Sequence, residues 1–323
     1  MTRIPSSIVE TSRNYLVYLY NQIRQQTGAP PGEVLAMISN LIIEISKNEQ
    51  SIEFEAHNME TQLNILATRI EAVMDTLYNG QDGKNSEIAD FFELAAHVEG
   101  YRFENLCLIY SVNTSGNLSD WFSDLRTCEA WRSKGFDVVD GAVPVYLLNS
   151  DNTAWVKVYD CMYVTDYQKP KGIRNENINA QMEHDITVLI QRSGIESEIN
   201  RKIDVRAKYD GRNNIILGKP GDDTVELMRC MTKAVADAYI NQEVKEGSNY
   251  GITGYYDLAS DIAAFIVCAR RGMVFNSIMN DRIRLFHRLF YAEDRESFFV
   301  YIKLILKIAD RIGELLNRNE VTR

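Results

Sequence analysis

The sequence of 323 residues has little histidine and little cysteine, which limits the metal chemistry open to it. No two of its four histidines, His57, His97, His184 and His287, are four residues apart. The five cysteines are widely spaced and form no CxxC pair. An HExxH zinc site and a cysteine-rich zinc site are therefore excluded, and the odd number of cysteines argues against a disulfide framework.

Other motifs and segments are also lacking. The sequence has no P-loop, no GxGxxG and no GxSxG, so it gives no sign of a nucleotide site or a hydrolase nucleophile. The longest apolar run, residues 262–269, is too short to cross a bilayer, and residues 1–16 show no secretory signal. We therefore expect a cytoplasmic protein with no membrane partner, no cofactor, no metal and no catalytic residues.

Positive charge is outweighed by negative charge, since 35 Lys and Arg residues stand against 45 Asp and Glu and the formal net charge is −10. Affinity for nucleic acid comes mainly from Lys and Arg neutralising phosphates, so an acidic protein gains little of it without a local basic patch. Residues 270–323 do carry 11 basic against 7 acidic side chains. A nucleic-acid site would thus depend on this segment or on a small cluster elsewhere.

The N-terminal part, residues 1–83, is predicted to be a helical bundle. Apolar spacing predicts helices over residues 7–26, 33–47 and 51–77. In the third helix the apolar residues repeat at alternating intervals of four and three, as in a coiled-coil seam: Ile52, Ala56, Met59, Leu63, Leu66, Ile70, Val73 and Leu77. This seam predicts either packing within an antiparallel bundle or a homodimer through residues 52–77.

The rest of the chain is predicted to complete a helix-rich α+β fold with two more domains, residues 84–170 and 171–323. In the first, a helix over residues 86–111 precedes strands at 136–139, 142–148 and 155–164. In the second, a helix over residues 179–193 precedes a hairpin over 203–217 that turns at Asp210-Gly211. Four more helices are predicted at 224–242, 257–271, 276–292 and 297–317.

Two blocks stand in the middle of the chain, YRFENLCLI at residues 101–109 and AWRSKGFDVVDG at residues 130–141. The first is similar to the YSxxNxxLI block, and the second to the tryptophan and glycine block, of the N-terminal domain of the ArdC and LtrC-like antirestriction proteins. Gly135 and Gly141 suit tight turns that need a positive φ. Trp131 would either fill the core or offer a face for base stacking.

The resemblance implies single-stranded DNA binding, because the N-terminal domain of the family is associated with it. This sequence places Glu129, Asp137 and Asp140 where the family usually has basic residues. The candidate nucleic-acid residues are Arg126, Trp131, Arg132, Lys134, Arg282, Arg284 and Arg288, and the alternative for the charged ones is an ordinary solvated surface.

The last part of the chain resembles the degenerate form of a zincin-like metallopeptidase domain. Met231 and Val235 stand where the two histidines of HExxH would be, Thr232 replaces the glutamate, and Asp261 keeps one acid of the later helix. A zincin needs two imidazoles to hold the ion and a glutamate to activate water. The resemblance therefore implies a pseudoenzyme without zinc.

Two functions follow as expectations. The first is a non-catalytic antidefence protein of a mobile element or phage that binds DNA, with single-stranded DNA as the expected ligand. The second is an acidic inhibitor or scaffold that engages a host nucleic-acid-handling defence complex without binding DNA, since an anionic surface attracts basic proteins.

Overall fold

The computed structural model describes residues 54–55, 57–80, 87–112, 124–165, 178–219, 223–245, 256–273, 277–291 and 294–317. Predicted helices 7–26 and 33–47 lie outside these residues. Among the described residues, no helix is both long enough and apolar enough to cross a membrane. The helix-rich α+β class predicted from the sequence is confirmed.

The chain divides into two compact units, each built from two stretches of sequence. The first unit comprises Met1–Val73 and Cys107–Tyr167, and the second comprises Met74–Leu106 and Gln168–Arg323. This division differs from the three predicted segments, because Met74–Leu106 belongs with the C-terminal part of the chain.

The seam helix, α1, runs from Met59 to Asn79. It begins there because the side chain of Asn58 caps its first turn, accepting a hydrogen bond of 2.9 Å from the backbone N–H of Thr61. The later seam residues Leu66, Ile70, Val73 and Leu77 are buried within the single chain, whereas Met59 is exposed. This burial favours packing within the chain for that half of the seam. Ile52 and Ala56 lie outside the described residues.

The predicted helix over residues 86–111 is wrong as a single element. It consists of α2, Glu87–His97, and α3, Phe103–Val112. The break follows from Gly100, whose φ of +80° lies in the left-handed region that ends helices. Glycine reaches this region without steric cost, so the sequence carried the signal for the break.

The first unit contains a three-stranded antiparallel sheet with β3 in the centre. The strands are β1 (Leu125–Arg126), β2 (Val145–Leu148) and β3 (Trp155–Asp160), in the order β1-β3-β2. Predicted strand 142–148 starts late because Pro144 has no N–H for the ladder. Predicted strand 136–139 is reduced to a bridge between Val138 and Val164. A short helix that the sequence analysis missed, α4 (Cys128–Ser133), is capped by the hydroxyl of Thr127.

The second unit has a small mixed sheet and five helices among its described C-terminal residues. The hairpin is confirmed, with β5 (Ala207–Asp210) antiparallel to β6 (Ile215–Gly218). A strand that the sequence analysis missed, β4 (Glu196–Ile199), pairs in parallel with β6. The helices match the predictions closely: α5 (Ile178–Arg192), α6 (Thr224–Lys245), α7 (Tyr256–Arg270), α8 (Ser277–Tyr291) and α9 (Arg295–Asn317).

Helix α7 is the central element of the second unit. It packs against α2, α6, α8 and α9, and its residues 258–264 and 266–268 are all buried. A helix that is apolar nearly all round belongs in a core. Its few charged residues therefore need partners inside the fold.

Two arginines at the C-terminal end of α7 connect it to its neighbours. The guanidinium of Arg270 is 8% exposed, donates a hydrogen bond of 3.0 Å to the carbonyl of Ala95 in α2, and lies 2.8 Å from Asp310 in α9. Burial raises the pKa of Asp310, while Arg270 opposes that rise. Arg271 lies 3.5 Å from the buried Asp185 of α5. Both cations also suit the negative end of a helix dipole.

The substitution Arg270→Met should destabilise the second unit. It would leave the carbonyl of Ala95 and the half-buried carboxylate of Asp310 without their cation, and removing one member of a buried pair costs about 3 kcal/mol. Urea unfolding of the full chain measures this. The matched control is Arg284→Met, because Arg284 is exposed and its pair with Asp281 is worth about 0.5 kcal/mol or less. Equal losses in the two variants would contradict the role assigned to Arg270.

Candidate functional site

Three of the four degenerate metal-site positions lie in the core of the second unit. Met231 and Val235 are one turn apart in α6 and are 3% and 0% exposed. A thioether and an isopropyl group do not replace the two imidazoles of a zincin. Thr232 is also fully buried, and its hydroxyl donates a hydrogen bond of 2.8 Å to the carbonyl of Met228. These side chains do not fit a zinc ion.

The fourth position, Asp261 in α7, is paired with cations of the protein itself. Its carboxylate lies 3.3 Å from the guanidinium of Arg282 and 3.9 Å from the ammonium of Lys233. Lys233 follows Met231 by two residues in α6, so their side chains project about 200° apart around the helix axis. Asp261 therefore faces a different side of α6 from the one that carries Met231 and Val235.

Asp261 belongs to a cluster of charged and polar side chains on three helices. We call this set the aspartate cluster: Lys233 and Asp237 of α6, Asp257, Ser260 and Asp261 of α7, and Arg282 of α8. The ammonium of Lys233 is its centre, 2.6 Å from Asp257, 3.3 Å from Asp237 and 3.3 Å from the hydroxyl of Ser260. Ser260 donates a hydrogen bond to Asp237.

Burial and charge oppose each other within the aspartate cluster. Burial raises the pKa of Asp237 and of Asp261, and the positive charge of Lys233 opposes both rises. At the more exposed Asp257, burial is outweighed by Lys233 and Arg282, so its pKa is lowered. For Lys233 itself, burial would lower the pKa, but the surrounding carboxylates outweigh burial and raise it. Lys233 is therefore a stable ammonium at neutral pH.

The contact between Lys233 and Ser260 resembles a serine–lysine pair, but it is not arranged for catalysis. A lysine that activates a serine must be neutral to accept its proton. The raised pKa of Lys233 keeps it charged, and Ser260 is fully buried with its hydroxyl bonded to Asp237. The aspartate cluster therefore joins α6, α7 and α8 and does not prepare a nucleophile.

Metal binding is not supported elsewhere in the part of the chain that the structure describes. There, no group of three or more His, Cys, Asp or Glu side chains is arranged to hold a metal ion. Cys268, on α7, is fully buried, and burial raises the pKa of its thiol to about 12. The thiolate form that binds metals and reacts with electrophiles is thus suppressed.

Trp131 fills the core of the first unit, one of the two roles left open by the sequence. Its side chain is fully buried, and its indole N–H donates a hydrogen bond of 2.9 Å to the carbonyl of Tyr159 in β3. Phe136 packs edge-on against the ring at 6.2 Å. The indole therefore has no free face for a base.

Two of the three candidate basic residues of the first unit, Arg126 and Arg132, lie beside carboxylates. Arg126 stacks over the Trp131 ring at 5.5 Å and lies 2.6 Å from Asp124. Arg132 is 67% exposed and lies 3.7 Å from Asp137. Lys134 follows α4 and is exposed.

Two of the three candidate residues of the second unit lie beside carboxylates of the chain. Arg282 takes part in the aspartate cluster, and Arg284 lies 3.5 Å from Asp281. Arg288 is exposed. Arg282 therefore already holds two carboxylates, Asp257 and Asp261, and offers less charge to an external phosphate.

The aspartate cluster is the feature of this site that the sequence analysis missed. Its local signal is the pair of i, i+4 spacings Lys233/Asp237 in α6 and Asp257/Asp261 in α7. Such spacing places each pair on one side of its helix. The contacts between helices depend on how α6 and α7 pack, which the spacing alone does not give.

Replacing Lys233 by methionine should destabilise the protein in a pH-dependent way. Without the ammonium, Asp237 and Asp261 are buried with less compensation, so their folded-state pKa values rise further above the unfolded values. When the pKa of a carboxyl group is higher in the folded than in the unfolded state, the free energy of unfolding falls as pH rises through the folded-state pKa. The variant should therefore lose about 3 kcal/mol of unfolding free energy at pH 7 and less near pH 4. Urea unfolding at both pH values measures the difference from the wild type.

The matched control for this test is Lys208→Met, since Lys208 is an exposed lysine on β5 of the same unit. Its effect should be small and nearly constant between the two pH values. A Lys233→Met loss that does not change with pH would contradict the electrostatic role of Lys233.

No protein-family model and no curated protein matches the sequence. Two solved structures are similar to it. One is the crystal structure of the antirestriction protein ArdC from plasmid R388 with Mn(II) bound, at 11% identity and a TM-score of 0.45, over 79% of this chain and 98% of that chain. The other is the metal-free structure of the same protein, at 10% identity and a TM-score of 0.43, over 78% and 98%. ArdC is also the family that the two sequence blocks resemble.

Proposed function

We propose that the chain is a non-catalytic antidefence protein of a mobile element or phage that acts by binding. The sequence blocks at residues 101–109 and 130–141 support the antidefence role. In the second block, Gly135 and Gly141 have φ values of +85° and +84°, as the block requires. The buried, apolar Met231 and Val235 support a role without metal catalysis.

The pairing of the basic side chains is the observation that favours a protein partner over DNA. Along α9, Lys303 lies 2.8 Å from Glu104 and Lys307 lies 2.6 Å from Glu243. Exposed pairs of this kind are worth at most about 1 kcal/mol, so single contacts could be exchanged for phosphates. The paired charges cancel, however, and a net charge of −10 opposes the approach of a polyanion. We infer that the partner is a basic, nucleic-acid-handling protein of the host.

Single-stranded DNA remains the second candidate ligand. Arg132 and Lys134 are exposed within the block that resembles the DNA-associated domain, and Arg288 is exposed in the second unit. So few exposed cations give few phosphate contacts, and each contact contributes a fixed share of the salt dependence. Binding through these residues would be weak and easily displaced by salt.

Fluorescence anisotropy with a labelled single-stranded DNA should separate the two candidates. We expect no binding tighter than about 100 µM at 50 mM salt, because the net charge is −10 and several of the candidate cations lie beside carboxylates. Tight binding that falls steeply by 200 mM salt would contradict the protein-partner proposal. In that case the double variant Arg132→Ala, Lys134→Ala should weaken it, and Lys208→Ala is the control with a distant exposed lysine.

The antidefence role is tested by transferring an unmodified plasmid into a restricting host that expresses the chain. We expect a higher yield of transferred plasmid than in the same host without the chain, and no difference between them when the plasmid is already modified. The variant Met231→Leu should protect as well as the wild type, because this position acts as a core residue and the exchange conserves its volume. No protection of unmodified DNA against several restriction systems would contradict the proposed role.

A further inference from the structure

Strand β4 is an open edge of the mixed sheet in the second unit. The strand order is β4-β6-β5, so β4 has β6 on one side only. Among the described residues, no strand pairs with its other side. All four residues, Glu196–Ile199, are exposed. An edge of this kind presents backbone groups to which another chain can add a strand.

The hydrogen-bond pattern shows which backbone groups face outward. The backbone N–H of Asn200 donates a hydrogen bond of 2.8 Å to the carbonyl of Gly218, so Asn200 directs its backbone groups toward β6. Successive residues of a strand direct these groups to alternate sides. Glu196 and Glu198 therefore bond to β6, and Ser197 and Ile199 present their N–H and C=O groups at the open edge.

The side chains of β4 define the chemistry of a matching segment. Glu196 and Glu198 lie on one face of the strand, and Ser197 and Ile199 lie on the other. Ile199 is 71% exposed, the highest value among the large hydrophobic residues exposed in the described part of the chain. A segment added to this edge would place basic side chains beside the two glutamates and an apolar one beside Ile199.

Acidic residues on an edge strand also have a protective role, because charge discourages the pairing of identical edges. Protection alone does not explain a highly exposed isoleucine beside the open backbone groups of Ser197. The two glutamates repel a second copy of β4 and attract a segment of opposite charge. The same arrangement therefore selects against self-association and for a basic partner.

We propose that β4 is a docking edge for an extended, basic segment of a partner protein, which adds to the sheet as a fourth strand. The segment alternates basic and apolar residues, with backbone bonds to Ser197 and Ile199 and ion pairs to Glu196 and Glu198. This inference rests on the proposed function, since it names the surface that takes the basic partner. Strand addition gives affinity through backbone bonds and specificity through alternate side chains.

The test uses the full chain and a fluorescein-labelled peptide of alternating arginine and valine, with anisotropy as the readout. We expect binding that weakens with salt. Ser197→Pro removes the outward N–H but none of the bonds to β6, and it should weaken binding by about tenfold or more. The double variant Glu196→Gln, Glu198→Gln keeps the shape of the edge and should both weaken binding and flatten its salt dependence.

The control variant is Glu183→Gln on α5, because Glu183 is an exposed glutamate of the same unit outside the sheet. It should bind the peptide like the wild type. If circular dichroism shows that the Ser197→Pro variant is not folded, the double variant Glu196→Gln, Glu198→Gln alone decides the result. No peptide binding by the wild type, or binding that neither edge variant weakens, would overturn the docking edge.

The plasmid-transfer assay distinguishes this inference from the proposed function. If the wild type protects incoming DNA and the edge variants protect equally well, the docking edge is wrong and the antidefence role stands. If the wild type does not protect, the proposed function fails even where the peptide binds. Loss of protection in the edge variants, with Glu183→Gln unaffected, supports both.

Discussion

The compensation of buried charge on helix α7 is the constraint on which the second unit depends. This helix is surrounded by α2, α6, α8 and α9, so water is excluded from most of its length. Its charged residues lie at its two ends and are paired there. Arg270 and Arg271 bind carboxylates and a carbonyl at the C-terminal end, and Asp257 and Asp261 lie in the aspartate cluster at the N-terminal end. A buried charge without a partner would cost several kcal/mol, about as much as the whole stability of many domains.

The same constraint accounts for the partners of Asp261. Here Lys233 and Arg282 compensate Asp261, while Met231 and Val235 fill space in the core. Met231 and Val235 therefore contribute packing energy to the second unit.

Helix periodicity was enough to predict helices α5 to α9 of the second unit. The predicted helix over residues 257–271 is α7, Tyr256–Arg270, and the predicted turn at Asp210-Gly211 joins β5 to β6. Strand β4 was missed because Glu-Ser-Glu-Ile has no apolar alternation, and an exposed edge strand does not need one. Helix α4 was missed because six residues are too few for a periodic signal. The aspartate cluster was missed because it forms between helices distant in sequence.

The most direct test of the central claim is metal analysis of the full chain, purified without chelators, by inductively coupled plasma mass spectrometry. If Lys233 and Arg282 compensate Asp261 without a metal ion, the chain should hold far less than one zinc or manganese ion per molecule. Its unfolding midpoint should also be the same with and without EDTA. One tightly bound ion per chain, with a midpoint that falls when EDTA removes it, would contradict the claim.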